Sequence, residues 1–133
     1  MMVFRSGETT QILEVPYMAE PQVESYSFGQ MAVDGETHTN DLILLPDRVI
    51  PNWWRDEGHR LSADDLKPVL DAQPEVLVVG TGANGLMTVP SETREAVEEA
   101  GIELKVARTG EAWRMYNDLQ GRRPTAGAFH LTC

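Results

Sequence analysis

Gly80, Gly82 and Gly85 stand at the spacing Gly-x-Gly-x-x-Gly, directly behind the apolar run Val76, Leu77, Val78, Val79. A glycine-rich turn at a strand end can cradle the pyrophosphate of a dinucleotide. The first glycine permits the tight turn, the second lets the backbone approach the phosphates, and the third lets a helix pack on the sheet. The surrounding sequence fails most of what that chemistry needs. The following helix must open inside the motif so that its free N–H groups meet the pyrophosphate. Here Pro90 stands five residues after Gly85, and proline belongs at a helix start, not in its second turn. The next strand ends in Val106, Ala107 and Arg108, with no acid for the ribose, although an arginine there suits a 2′-phosphate. About fifty residues follow the motif, one mononucleotide-binding half. No cofactor is therefore expected. What survives is a candidate pocket for a small anion, a carboxylate or phosphate. Gly80, Thr81 and Gly82 come from one loop and Arg108 and Thr109 from the next, at adjacent strand ends.

Other residues with chemical potential are fewer. Trp53 and Trp54 are adjacent, and in an extended segment they cannot both face one core. One packs inward and the other is a candidate partner surface. Asn117 flanks an apolar helix face, where its amide meets either a neighbouring loop or a ligand. His38, His59 and His130 are widely spaced, so no metal site is expected. No serine sits in a nucleophile-elbow pattern.

These residues are positioned by elements the pattern predicts in two halves, divided near Leu61. The first is strand-rich: a short strand over 11–15, a hairpin with one strand over 25–33 and its return over 36–39, a buried strand over 41–45, and an extended piece at 49–50. Asp34 and Gly35 supply the two positive-φ residues of a type I′ turn between the hairpin strands. The second half alternates helix and strand. Helices are expected over 62–71, capped at Asp64 or Asp65, over 91–100, and over 109–120, capped by Thr109. Strands are expected over 75–79, 102–107 and 125–131. Ala112, Trp113, Met115, Tyr116 and Leu119 make one broad face of the last helix, read as core. The whole reads as one α/β domain over 1–133, with a βαβαβ-like C-terminal half and an N-terminal β-hairpin layer.

Composition excludes whole classes of function. Twenty-one acids against 11 bases give a formal net charge of −10, which argues against nucleic-acid partners. No apolar run approaches the ~20 residues of a membrane span. The N-terminus lacks the features of a secretory or transit peptide, and Cys133 is the single cysteine, so a reducing cytoplasmic setting is expected.

Several stretches together resemble a known family. They are Tyr26-Ser27-Phe28-Gly29, Pro46 followed by Trp53, Val78-Val79-Gly80-Thr81-Gly82, Val89-Pro90-Ser91, Thr109 with Ala112 and Tyr116-Asn117-Asp118-Leu119, and Phe129 to the closing Cys133. Over about 25–133 the chain resembles the small domain shared by the mitochondrial complex I assembly factor 3 and the adipogenesis-associated protein, a domain of unknown function. The compact length resembles its bacterial members, and residues 1–24 stand as an extension. The resemblance implies a three-layer α/β fold with a mixed central sheet, in which the last strand runs antiparallel to the others. It carries over no catalytic residues. It implies partners among respiratory-complex subunits or assembly proteins, hence a non-catalytic interaction or assembly factor. The alternative is a binder or enzyme for a small anion or nucleotide at Gly80, Thr81, Gly82, Arg108 and Thr109. The sequence leaves the oligomeric state open, a homo-oligomer included.

Overall fold

The computed structural model describes residues 20–133; the strand expected over 11–15 lies outside them. Strands β1 (Val23–Ser27), β2 (Gln30–Val33) and β3 (Glu36–His38) form an antiparallel three-stranded sheet. Asp34 and Gly35 take φ of 48° and 85°, the paired left-handed residues that the β2–β3 hairpin demands. The single strand expected over 25–33 folds back at Phe28 and Gly29, pairing Ser27 with Gln30. The N-terminal layer therefore has three strands.

Strands β4 (Leu42–Leu45), β5 (Arg48–Ile50), β6 (Val76–Thr81), β7 (Glu103–Ala107) and β8 (Thr125–His130) form the central sheet in the order β5-β4-β8-β6-β7. β6 is parallel to both β7 and β8, and β4 is antiparallel to β5 and β8. The sheet is mixed, but the implied antiparallel last strand is corrected: β8 is parallel to β6 and antiparallel only to β4. The helical crossover before it leaves a parallel partner as the ready geometry, and the antiparallel character comes from the β4–β5 hairpin.

Every residue of β6 is buried, as its unbroken apolar run requires of a strand covered on both faces. Its alternate residues divide between two cores. Val76 and Val78 pack with Leu42, Leu44 and Phe129, and with Ala112 and Tyr116 of helix α3 (Thr109–Gln120). Val23, Met31 and Val33 of the small sheet close that layer. Leu77 and Val79 pack on the opposite face with Trp53, Leu66 and Val69, and with Val97 of helix α2 (Ser91–Glu99). The two helices lie on opposite faces because the crossovers from β6 to β7 and from β7 to β8 run in opposite directions across the sheet. Three layers result, two cores around one sheet.

Two expected caps are corrected. The first helix, α1 (Lys67–Ala72), is capped at Leu66, after a single 3-10 turn over Asp64–Leu66. Pro68 needs the first helical turn, where its missing N–H is not required. Ser62 and Asp65 instead bond reciprocally, each backbone N–H to the other's side chain, and so open the 3-10 turn. α3 is capped at Arg108, so Thr109 is its first helical residue and its hydroxyl is free for other work.

Candidate functional site

Gly80, Thr81, Gly82, Arg108 and Thr109 meet at the carboxyl ends of β6 and β7. The Gly82 N–H donates to Thr109 Oγ1 at 2.9 Å, and that hydroxyl donates onward to the His130 carbonyl at 2.6 Å. Thr81 Oγ1 donates to the Ala107 carbonyl at 3.2 Å. The exposed Arg108 side chain lies against Gly85. In front of this group, however, stands the chain's own backbone. The Ala83 N–H donates to the Thr132 carbonyl at 2.7 Å, and the Asn84 and Leu86 N–H groups both reach the Cys133 main-chain oxygen at 3.1 Å. The loop is a nest of N–H donors closed around residues 132–133.

Gly82 shows why the fingerprint spacing is there. Its φ is +107°, and a Cβ built on it would overlap the carbonyl carbon of Cys133 and lie 2.7 Å from the oxygen. Glycine here permits the close approach of a second backbone, the same property that would admit a pyrophosphate.

Asn117 stands apart from this group. Its Oδ1 accepts the Val23 N–H at 3.0 Å and its Nδ2 donates to the Val23 carbonyl at 2.6 Å, so the amide ties β1 to α3. Beside it, Tyr116 Oη donates to the Pro21 carbonyl. Asn117→Leu leaves both Val23 groups unpaired, and we expect a loss of about 2 kcal/mol by urea denaturation. The Val23 amide should exchange with solvent far faster in the variant. Unchanged exchange there rejects the bridging role.

The two tryptophans divide as adjacent residues of an extended segment must. Trp53 is buried, its N–H donating to the Asp41 carbonyl at 2.8 Å and its Nε1 to the Asp65 carbonyl at 3.0 Å. Trp54 points outward, 77% exposed.

Next to Trp53 lies a polar cluster that sequence reading missed. Antiparallel pairing of Leu42 with Phe129 sets Asp41 beside His130. Asp41 Oδ2 accepts from Arg55 Nη2 at 2.8 Å and from His130 Nδ1 at 2.7 Å, and Oδ1 accepts the Leu131 N–H at 2.8 Å. Arg55 Nη2 also donates to the Gly58 carbonyl at 2.8 Å, and its guanidinium stacks 4.6 Å above the Trp53 ring. Burial by itself raises the Asp41 carboxyl, but the bonds from His130, Leu131 and Arg55 outweigh it and hold the group below its ordinary range. An ionised Asp41 only accepts, so His130 Nδ1 carries a proton. The 3.2 Å approach of Arg55 Nη2 to that nitrogen is then two donors sharing one oxygen, not a bond between them.

Arg55 is only 4% exposed on its side chain, yet its Nε and Nη1 have no partner among the described residues, nor has His130 Nε2. Unpaired buried polar atoms of this kind are rare enough to require a reason. Arg55 also lines a cleft of about 640 Å³, together with Asn40, Asn52, Trp54, Asp56 and Thr132 among others. That is the size range of ligand clefts. Thr132 faces this cleft on one side and meets the glycine loop through its carbonyl on the other. The only signals in the sequence were an arginine beside a tryptophan pair and ionisable residues flanking buried strands.

Comparisons with known proteins agree with the fold. The chain is 31% identical to the Rpa2829 protein of Rhodopseudomonas palustris over 91% of this chain and 89% of that one, with a TM-score of 0.67. It is 26% identical to a conserved hypothetical protein of Pyrococcus horikoshii, covering 84% of this chain and 99% of that one, with a TM-score of 0.72. A Bordetella pertussis protein described as a Mth938-like domain shares the fold at a TM-score of 0.71, with 20% identity over 92% of each chain. No described helix is long and apolar enough to cross a membrane. Residues 23–130 match the family described as "Protein of unknown function (DUF498/DUF598)", and the chain belongs to that family.

Proposed function

We propose that the protein works without catalysis, in the cytoplasm, as an interaction or assembly factor related to respiratory complex I biogenesis. The observation that carries the interaction half is Trp54. A large indole held 77% exposed at the rim of a cleft is the side chain most often found at the energetic centre of a protein interface. Its loop is anchored by the Trp53 and Arg55 contacts, so little order is lost when a partner binds. The complex I half rests on the family resemblance of the sequence. A pull-down from native extract should recover complex I subunits or assembly proteins with the native chain and lose them with Trp54→Ala. Recovery of none with the native chain sinks this reading.

A second reading keeps a small-anion or nucleotide site at Gly80, Thr81, Gly82, Arg108 and Thr109. Its support is the exposed Arg108 beside a cluster of backbone N–H groups. It requires residues 132–133 to leave Ala83, Asn84 and Leu86. Phosphate or NADP at a hundredfold its Kd would then add about 2.7 kcal/mol of stability, and Arg108→Ala would abolish the gain. A flat thermal-shift screen rejects it.

A further inference from the structure

We infer that the cleft behind Trp54 takes a cationic, extended segment of a partner protein, with a lysine or arginine side chain over the Trp54 indole and the segment's main chain against Asn40 and Asn52. The inference rests on the interaction reading above and names the chemistry of the partner.

Charge comes first. Arg55 is the cation of the cleft wall, and Asp41 already balances it at 2.8 Å. Asp56, exposed on the same wall, forms no ion pair among the described residues, so the wall is left negative. The whole chain carries −10. An anionic occupant is repelled by both, and a cationic one is drawn in. The indole face of Trp54 offers a cation the best aromatic surface available.

Hydrogen bonding points to a polypeptide. Asn40 Nδ2 donates to Asn52 Oδ1 at 2.8 Å. Each side chain amide has a second polar atom, and the pair therefore presents one acceptor, Asn40 Oδ1, and one donor, Asn52 Nδ2, side by side. Exchange of O and N in both residues gives the same result. A peptide unit offers the complementary pair, one N–H and one C=O. Arg55 of the cleft wall has a buried Nε and Nη1 without a partner among the described residues, for which a neutral carbonyl is a fitting acceptor.

The test is a titration of the full ¹⁵N-labelled chain with the capped peptide acetyl-Gly-Lys-Gly-Lys-Gly-amide, and with its glutamate counterpart as control. Saturable shifts are expected at the Trp54 indole N–H and at the Asn40 and Asn52 side-chain amides, with the lysine peptide alone. Trp54→Ala, a surface change, should weaken the binding read at the asparagines about fivefold. Shifts scattered over the acidic surface without saturation, no shifts at these three groups, or equal binding of the glutamate peptide each overturn the inference. A flat titration beside a productive pull-down removes this cationic segment and leaves the interaction role standing. A productive titration beside an empty pull-down removes the complex I partnership and leaves the cationic segment standing.

Discussion

Gly82→Ala should destabilise the protein by about 3 kcal/mol or more, or drive residues 132–133 out of the glycine loop. Two costs add. The residue sits at φ +107°, which a side chain rarely adopts, and the new Cβ would overlap the Cys133 carbonyl carbon and lie 2.7 Å from both the Cys133 and Thr132 oxygens. The atoms it meets are backbone, so no rotamer change relieves the contact. The Ala83, Asn84 and Leu86 N–H groups then lose their acceptors, at about 1 kcal/mol each where water does not replace them. Gly110→Ala is the control. Beyond its own helical backbone and chain neighbours, no atom lies within 4 Å of the position a Cβ would take there, so that change is expected to be neutral or stabilising by up to about 1 kcal/mol. Urea midpoints compare the two, and amide exchange at Ala83, Asn84 and Leu86 reports whether the loop has opened. If Gly82→Ala is as mild as Gly110→Ala and those amides stay protected, the fingerprint does not exist to admit the C-terminal backbone.

That result bears on how far the sequence could be read. β6 and α3 were legible because their signals are local: an unbroken apolar run for a strand covered on both faces, and a broad apolar face at helical spacing. The Asp34-Gly35 turn was legible because turn chemistry lies within two residues. The late start of α2 followed from Pro90 alone. The meaning of the glycines was not legible, because it depends on what faces them, and Thr132 and Cys133 lie some fifty residues further along. The direction of β8 depends on which strand it joins, which no local pattern encodes. The grouping of Asp41, Arg55 and His130 is not legible for the same reason: Arg55 and His130 are 75 positions apart, and Asp41 and His130 are 89 apart. The antiparallel register of β4 on β8 brings Asp41 to His130, and Arg55 joins them from the loop after β5. Asn117 flanks its helix as the pattern expects, and the neighbouring element that its amide meets is β1.

Asp41→Asn is the second large effect, about 3 kcal/mol of stability lost at pH 7. Arg55 is 4% exposed on its side chain, and Asp41 is the only carboxylate within salt-bridge distance of it among the described residues. Removing one member of a buried pair leaves the other as an uncompensated charge, which costs about 3–5 kcal/mol. The pH dependence has a definite sign. The folded carboxyl lies below its ordinary value of 3.8, so between the two values the unfolded chain binds more protons than the folded one. The stabilisation is complete above 3.8 and is lost as pH falls through the folded value. The gap between native and Asp41→Asn should therefore be widest near neutral pH and narrow in acid, read by urea unfolding at pH 7 and pH 3. Adding Arg55→Met to Asp41→Asn removes the stranded charge and should recover part of the loss. A gap of equal size at both pH values means that the carboxyl is not held down by its partners. Asp41 also accepts the Leu131 N–H, one residue before the segment that fills the glycine loop. Asp41→Ala, which removes that acceptor where Asp41→Asn keeps one oxygen, should therefore raise amide exchange at Ala83 and Leu86 as well. The polar cluster beneath the Trp54 cleft and the closed nest at Gly82 are then two ends of one arrangement, joined through residues 130–133.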